Sequence, residues 1–351
     1  MRALIDITHP SLAHVFRPVW AAWKAAGDEP LVVARDKDVT LELLRAFDIP
    51  HRVLTTVGRG QLGRLRELVV REARTLALAR RFRPHLVIGT SAHAARVARL
   101  VGARSAVLND DDAAAVPLFR WLSYPLADAI ITPSCLAFEG HGPRHWTYPS
   151  YHALFYLHPA RFQPDPAVRD ELGLRPGERF GIVRKSARAA HHDSGVRGVD
   201  EALVARLRGA IPADVRLFVT SEGPLTGALA PWRLPVAAHR VHHAVAFADF
   251  VLGDSQTMTA EAAVLGVPAI RLNDFVGRIS YLTELEAYGL AFGFRPGQEE
   301  QALSAVREVV GQPGSRAIFA ERRRRMLSER IDPLPWLLDR VRGLVAGSAP
   351  A

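Results

Sequence analysis

The chain has 351 residues, enough for two domains of ordinary size, and its 48% hydrophobic content can fill both cores. Forty-five Lys and Arg against 36 Asp and Glu leave a formal charge of +9, which suits phosphate-bearing ligands, anionic lipid surfaces or nucleic acid without choosing among them. No RNP-like aromatic motif, zinc finger or helix-turn-helix signal accompanies the charge, so nucleic acid is not an expected partner. The single Cys135 excludes an intrachain disulfide and a cysteine-rich metal site. The opening MRALIDITHP carries an apolar run too short for a signal peptide, and nowhere do eighteen apolar residues follow one another. A soluble, cytoplasmic protein is expected, with peripheral contact to an anionic membrane as an option.

Short apolar runs alternate with amphipathic segments, the order of buried parallel strands joined by helices. Strands are predicted over 3–7, 30–34, 51–54, 85–89, 105–108 and 129–132, and helices over 15–26, 39–47, 62–82 and 92–101. The stretch 58–83 holds arginines at 59, 64, 66, 71, 74, 80, 81 and 83 against only Glu67 and Glu72. Leu62, Leu65, Val69 and Leu76 fall near one face of its helix, which predicts a buried apolar stripe ringed by basic groups; such a helix can also lie against anionic lipid. From 140 to 166 the pattern breaks into GHGPRHWTYPSYHALFYLHPARFQPDP, suited to a linker or an irregular edge strand. A second β-α series follows, with strands over 179–184, 215–220, 250–252, 269–272 and 291–294. Helices over 298–310, 315–329 and 335–345 close the chain, with Ile331-Asp332-Pro333 as a break before the last. The fold class is therefore α/β, with Rossmann-like domains over 1–160 and 161–330 and a final segment over 331–351.

The stretch FVLGDSQTMTAEAAVLGVPAIRLNDFVGRISY reads as strand, polar turn, helix, Gly-Val-Pro, strand and polar loop. Asp254 and Ser255 end the first strand, and Gln256, Thr257 and Met258 open the helix. Their backbone N–H groups lack helical partners, so a phosphate could sit there. Glu261, six residues after Ser255, would then meet hydroxyls on whatever carries the phosphate, and a nucleoside diphosphate fits both. Asp-Ser ahead of a helix is also an ordinary N-cap. The sequel weighs against capping alone, because Asn273 and Asp274 lie in a polar loop at a strand's C-terminal end, where ligands of open α/β sheets bind.

His14 follows the first strand, with Asp6 and His9 close by, and a histidine pKa near 6.5 suits a general base there. Asn109-Asp110-Asp111-Asp112 also follows a strand; capping and solvation account for the cluster, with Asp110 as a reserve base. Arg184 and Lys185 end a strand of the second series. The pairs His191-His192 and His242-His243 invite a metal, yet adjacent histidines point in different directions, so neither is a ready-made chelate and no metal is expected.

Residues 253–290, GDSQTMTAEAAVLGVPAIRLNDFVGRISYLTELEAYGL, resemble the signature of domain-of-unknown-function family 354, predicted glycosyltransferases of the GT-B type. IDITHPSLAHVFRPV at 5–19, AAHHDSGVRG at 189–198 and TSEG at 220–223 match it too, so the resemblance is global. It implies two Rossmann-like domains facing each other across a cleft, no cofactor, and a nucleotide-diphosphate sugar as donor. The Ser255 to Glu261 spacing is similar to that of the non-hydrolysing UDP-N-acetylglucosamine 2-epimerases, where the Ser binds phosphate and the Glu binds ribose. Ala13-His14-Val15-Phe16-Arg17-Pro18 is similar to the Gly-His-Val-Phe-Pro loop of the lipid-II-forming N-acetylglucosaminyltransferase, although Thr8-His9-Pro10-Ser11-Leu12 replaces its glycine-rich part. By the same resemblance Arg184 neutralises a diphosphate leaving group, His192 and Asp193 lie near the donor, and Ser221 and Glu222 border the ribose or base. The expected activity is transfer of a sugar to a lipid- or polysaccharide-linked acceptor. A nucleotide-sugar 2-epimerase and a non-catalytic nucleotide-sugar binder are the alternatives, the first weakened by the absence of the Gly-Thr-Arg-Pro-Glu segment typical of those epimerases.

Overall fold

Two parallel sheets organise the chain, and each reverses its strand order once. The computed structural model describes residues 1–58, 60–112, 114–136, 142–186 and 199–347, which divide into a first unit, Met1–His158 with the segment from Ile331 onward, and a second, Pro159–Arg330.

The first unit has seven strands: β1 (Arg2–Ile7), β2 (Glu29–Asp36), β3 (His51–Thr56), β4 (Leu86–Gly89), β5 (Arg104–Leu108), β6 (Ala129–Pro133) and β7 (His145–Tyr148). Their order is β3-β2-β1-β4-β5-β6-β7, all parallel, so the winding reverses between β1 and β4. Strand β7 lies inside the stretch whose pattern broke, and it occupies an edge, with Pro143 and Pro149 outside its four paired residues. Helices α1 (Pro10–Ala25), α2 (Thr40–Ala46), α3 (Gly60–Phe82), α4 (Ala94–Val101), α5 (Pro117–Ser123) and α6 (Leu154–Leu157) cover this sheet. Leu4, Val33 and Val87 of the strands pack on Ala79 of α3 and Ala94, Val97 and Ala98 of α4.

In the second unit α7 (Val168–Glu171) precedes β8 (Arg179–Lys185), α8 (Glu201–Ala210), β9 (Val215–Ser221), α9 (Val241–Phe247), β10 (Phe250–Gly253) and α10 (Gln256–Val264). Then come β11 (Ala269–Leu272), α11 (Ser280–Ala287), β12 (Ala291–Phe294), α12 (Glu299–Gly311) and α13 (Ser315–Glu329). The sheet runs β12-β11-β10-β8-β9, again all parallel, and reverses between β8 and β10. Val183, Val219, Leu252 and Ile270 pack against Leu203 and Leu207 of α8 and Leu303 and Val306 of α12.

The last helix, α14 (Pro333–Ala346), belongs to the first unit, against α1 and α6. Asp332 caps it by accepting from the Leu334 N–H at 3.0 Å, and Pro333 occupies the first helical position, where its missing N–H costs nothing. Arg342 reaches Asp28 at 2.9 Å, and Ser150 Oγ donates to the Ile331 carbonyl at 2.7 Å.

Helix α3 overturns one expectation. Leu62, Leu65 and Val69 are exposed, whereas Leu76 packs partly buried against the core, and the buried positions are Glu67, Arg71, Thr75 and Ala79. Polar pairing rotates the helix. Glu67 accepts from Arg35 Nε at 2.6 Å, from Thr55 Oγ1 at 3.0 Å and from the Gly58 N–H at 3.0 Å, while Arg71 pairs with Asp6. These charge-assisted bonds are each stronger than a neutral one, so the polar stripe takes the inside.

Candidate functional site

Ligands of open α/β sheets bind outside the carboxyl ends of the strands where the order reverses, which in the second unit is the end of β8 and β10. Gly253 and Arg184 are register partners there, and a Cβ on Gly253 would lie 2.8 Å from both the Arg184 Cβ and its carbonyl oxygen, so only glycine lets the two strands approach. One residue further, Asp254 binds both flanks of the segment after β8: its Oδ1 accepts from the Ser186 N–H at 2.7 Å and its Oδ2 from the Val199 N–H at 3.3 Å. Burial raises the Asp254 pKa and these backbone bonds oppose the rise. Asp254 thus holds the Ser186 and Val199 backbone rather than standing free for a ligand. Its carbonyl accepts from Asn273 Nδ2 at 3.0 Å, and Asn273 Oδ1 accepts from the Phe275 N–H at 3.0 Å, so Asn273 too is spent on the scaffold. Asp274 beside it is half-buried.

Ser255 is the N-cap of α10, in extended conformation, and its Oγ accepts from the Met258 N–H at 3.3 Å. The first turn, Gln256 to Met258, carries no acidic residue. The positive end of the helix is therefore uncompensated by side chains of its own first turn, the usual condition for an anion site. Arg184 adds a cation at the same sheet edge, donating from Nη1 to Thr220 Oγ1 at 3.4 Å and from Nη2 to Glu222 Oε1 at 3.1 Å, while its buried Nε has no hydrogen-bond partner among the described residues. Ser221 Oγ accepts from the Gly223 N–H at 3.3 Å. Arg184, Asp254, Ser255 and Asn273 thus meet at one sheet edge, with Ser221 and Glu222 following the neighbouring β9. His192 and Asp193 lie outside the described residues.

Glu261 is buried and its Oε1 lies 3.0 Å from Nε2 of His242 on α9, itself buried. His243, next in sequence, turns elsewhere: its Nδ1 accepts from the Asp165 N–H at 2.9 Å, and its ring lies 4.9 Å from that of Phe162. The pair divides as adjacent helical positions must. Nothing in the sequence marked His242 as Glu261's partner, since the two are nineteen positions apart on different helices. Arg271, fully buried on β11, was equally unforeseen; it reaches Glu286 at 3.3 Å, and burial lowers its pKa. Among the described residues no group of three or more His, Cys, Asp or Glu is arranged to hold a metal.

In the first unit the reversal lies at β1 and β4, where a Cβ on Gly89 would come within 2.6 Å of the Asp6 carbonyl oxygen. Asp6 pairs with Arg71, and its Oδ2 lies 3.2 Å from His93 Nε2, all three buried. Burial alone would raise the Asp6 pKa, but Arg71 and His93 outweigh it and hold the carboxyl far below its ordinary range. His14 is 9% exposed, stacked on Tyr156 at 5.1 Å and edge-on to Phe47 at 5.3 Å. Asp110 follows β5 and is half-buried, and burial together with Asp110 pushes the Tyr148 phenol well above 10.

No family model matches the chain, and no curated protein matches it. Solved structures do share the fold. The Staphylococcus aureus MnaA structure with UDP superposes with a TM-score of 0.68 at 15% identity, covering 100% of this chain and 99% of that one. A spinosyn rhamnosyltransferase, SpnG, complexed with spinosyn aglycone gives 0.65 at 15% identity over 98% and 100%. The Neisseria meningitidis UDP-GlcNAc 2-epimerase bound to UDP-GlcNAc gives 0.65 at 12% identity over 99% and 100%. The fold is thus the paired Rossmann-like α/β architecture of GT-B type.

Proposed function

We propose that this protein is a GT-B glycosyltransferase that takes its sugar from a nucleotide-diphosphate sugar held by the second unit. The observation that carries the reading is the Ser255-capped end of α10 at the β8/β10 reversal, with Arg184 beside it. Backbone N–H groups there hold the diphosphate, and the guanidinium compensates the charge that develops as the glycosidic bond breaks. Glu261, held by His242, meets the ribose. The first unit supplies the acceptor-side groups, with Asp110 the more open of the two base candidates because aromatic rings enclose His14. The residues quoted above as resembling family 354 support the same reading, as does the fold shared with SpnG; a lipid- or polysaccharide-linked acceptor and contact with an anionic membrane belong to it.

A second reading, nucleotide-sugar 2-epimerase, is favoured by the equal structural likeness to the N. meningitidis UDP-GlcNAc 2-epimerase. Incubation with a panel of nucleotide sugars separates the readings. Release of free nucleoside diphosphate in the presence of acceptor marks a transferase and an epimeric sugar marks an epimerase, while binding without either product defeats both.

A further inference from the structure

We propose that α3 and α5 together form a docking surface for an anionic lipid bilayer. Leu62, Leu65 and Val69 are 84%, 60% and 61% exposed, and on α5 Leu118 and Trp121 are 67% and 80% exposed. Positions 62, 65, 69 and the exposed Ala73 recur at helical spacing, so they make one apolar stripe. The two helices are fastened to α4 by one side chain. Arg96 donates from Nε and Nη2 to Glu72 of α3 at 2.8 and 2.7 Å, and from Nη1 to the Leu122 carbonyl of α5 at 3.0 Å. The stripe and Trp121 therefore flank the same helix on one side of the first unit.

Charge identifies the occupant. Arg64, Arg66, Arg74, Arg80 and Arg81 of α3 are all exposed, whereas the helix's two acids are occupied, Glu67 by Arg35 and Glu72 by Arg96. What α3 shows to solvent is thus apolar and positive, the composition that seats a helix at an anionic lipid interface, and tryptophan prefers that depth. A second copy of this chain is a poor match, because a two-fold contact through this face would set arginines against arginines. No helix among the described residues is long and apolar enough to cross a membrane, so the attachment is peripheral.

The test is co-sedimentation of the intact protein with phosphatidylcholine vesicles with and without about one-third phosphatidylglycerol. Binding should require the anionic lipid, fall with added salt as screening shortens, and drop at least tenfold in Leu62→Glu/Leu65→Glu and in Trp121→Ser. Arg324→Ala/Arg325→Ala, the same charge change at exposed positions of the second unit, should bind as the unaltered protein does. Absence of binding to anionic vesicles, equal loss in that control, or binding indifferent to the α3 and α5 variants would overturn the proposal. So would a dimer in solution that the same substitutions disperse. The experiment needs no nucleotide, so its failure leaves the donor-site reading standing.

Discussion

His242 Nε2 and Glu261 Oε1 lie 3.0 Å apart with both side chains buried, which makes the carboxylate proposed for ribose recognition one half of an imidazole–carboxylate pair reaching from α9 to α10. Removing the histidine takes one partner from a buried carboxylate, so His242→Ala should cost about 1–3 kcal/mol of stability in urea unfolding. Glu261→Ala should weaken nucleoside diphosphate binding by about 1–3 kcal/mol in calorimetry. Unchanged affinity in folded Glu261→Ala would end the ribose assignment.

Ser255 has two separable roles. Ser255→Ala should lose the cap, about 0.5–2 kcal/mol, whereas Ser255→Gly should lose only a few tenths because glycine is itself a tolerated cap. Both remove the hydroxyl. If the phosphate is held here, the two variants should bind UDP equally weakly despite different stabilities; equal and normal affinity in both would reduce Ser255 to a cap.

Acceptor activation is testable by comparing two variants. Asp110→Asn should keep donor affinity and cut turnover by roughly 10²–10⁴-fold, the usual size of general acid-base catalysis. His14→Ala should instead lower the melting temperature, because it opens a hole between Tyr156 and Phe47. Near-normal turnover in Asp110→Asn with a large loss in a stable His14→Ala would exchange the roles.

Acid should expose the Asp6–Arg71 pair. The folded-state pKa of Asp6 is depressed below its unfolded value of about 3.9, so the pair's stabilisation is present above that pH and is lost as the pH falls toward the folded pKa. Arg71→Ala should remove about 3–5 kcal/mol at neutral pH and flatten the stability profile below pH 4. An unaltered acid limb in that variant would contradict the pairing.

Backbone contact at the reversal point of the second unit predicts that Gly253→Ala is destabilising. Its methyl would meet the Arg184 backbone, and overpacking of this kind costs about 1–3 kcal/mol. Nucleotide affinity should fall as well, since Arg184 and Asp254 flank the strained strand; a variant of ordinary stability and affinity would show that the strands can part.

Local pattern was enough for the elements and their class. Parallel strands such as Ala129–Pro133 are buried on both faces and so are written as continuous apolar runs, and α13 begins and ends where its sequence pattern predicts. The turn at Ser255 was legible for the same reason, because capping is local chemistry between residues three apart. The edge strand β7 was ambiguous: at four residues, His145–Tyr148, it is too short for an alternating pattern to stand out from the proline-rich stretch around it.

What only the tertiary structure decided are the pairings between distant polar groups. Asp254 reads as a ligand contact in the sequence, yet its oxygens are taken by Ser186 and Val199, and Glu261 acquires His242 only because α9 packs beside α10. Helix α3 shows the limit most plainly. Leu62, Leu65, Val69 and Leu76 at helical spacing predict a buried stripe, and the first three would be buried as Leu76 partly is if apolar burial outweighed every other contribution. Three partners for Glu67 and the Asp6 carboxylate for Arg71 lie 9 to 65 positions away in sequence, and their charge-assisted bonds turn the helix the other way. Periodicity records which side chains share a face, but which face turns inward depends on partners that only folding brings within reach.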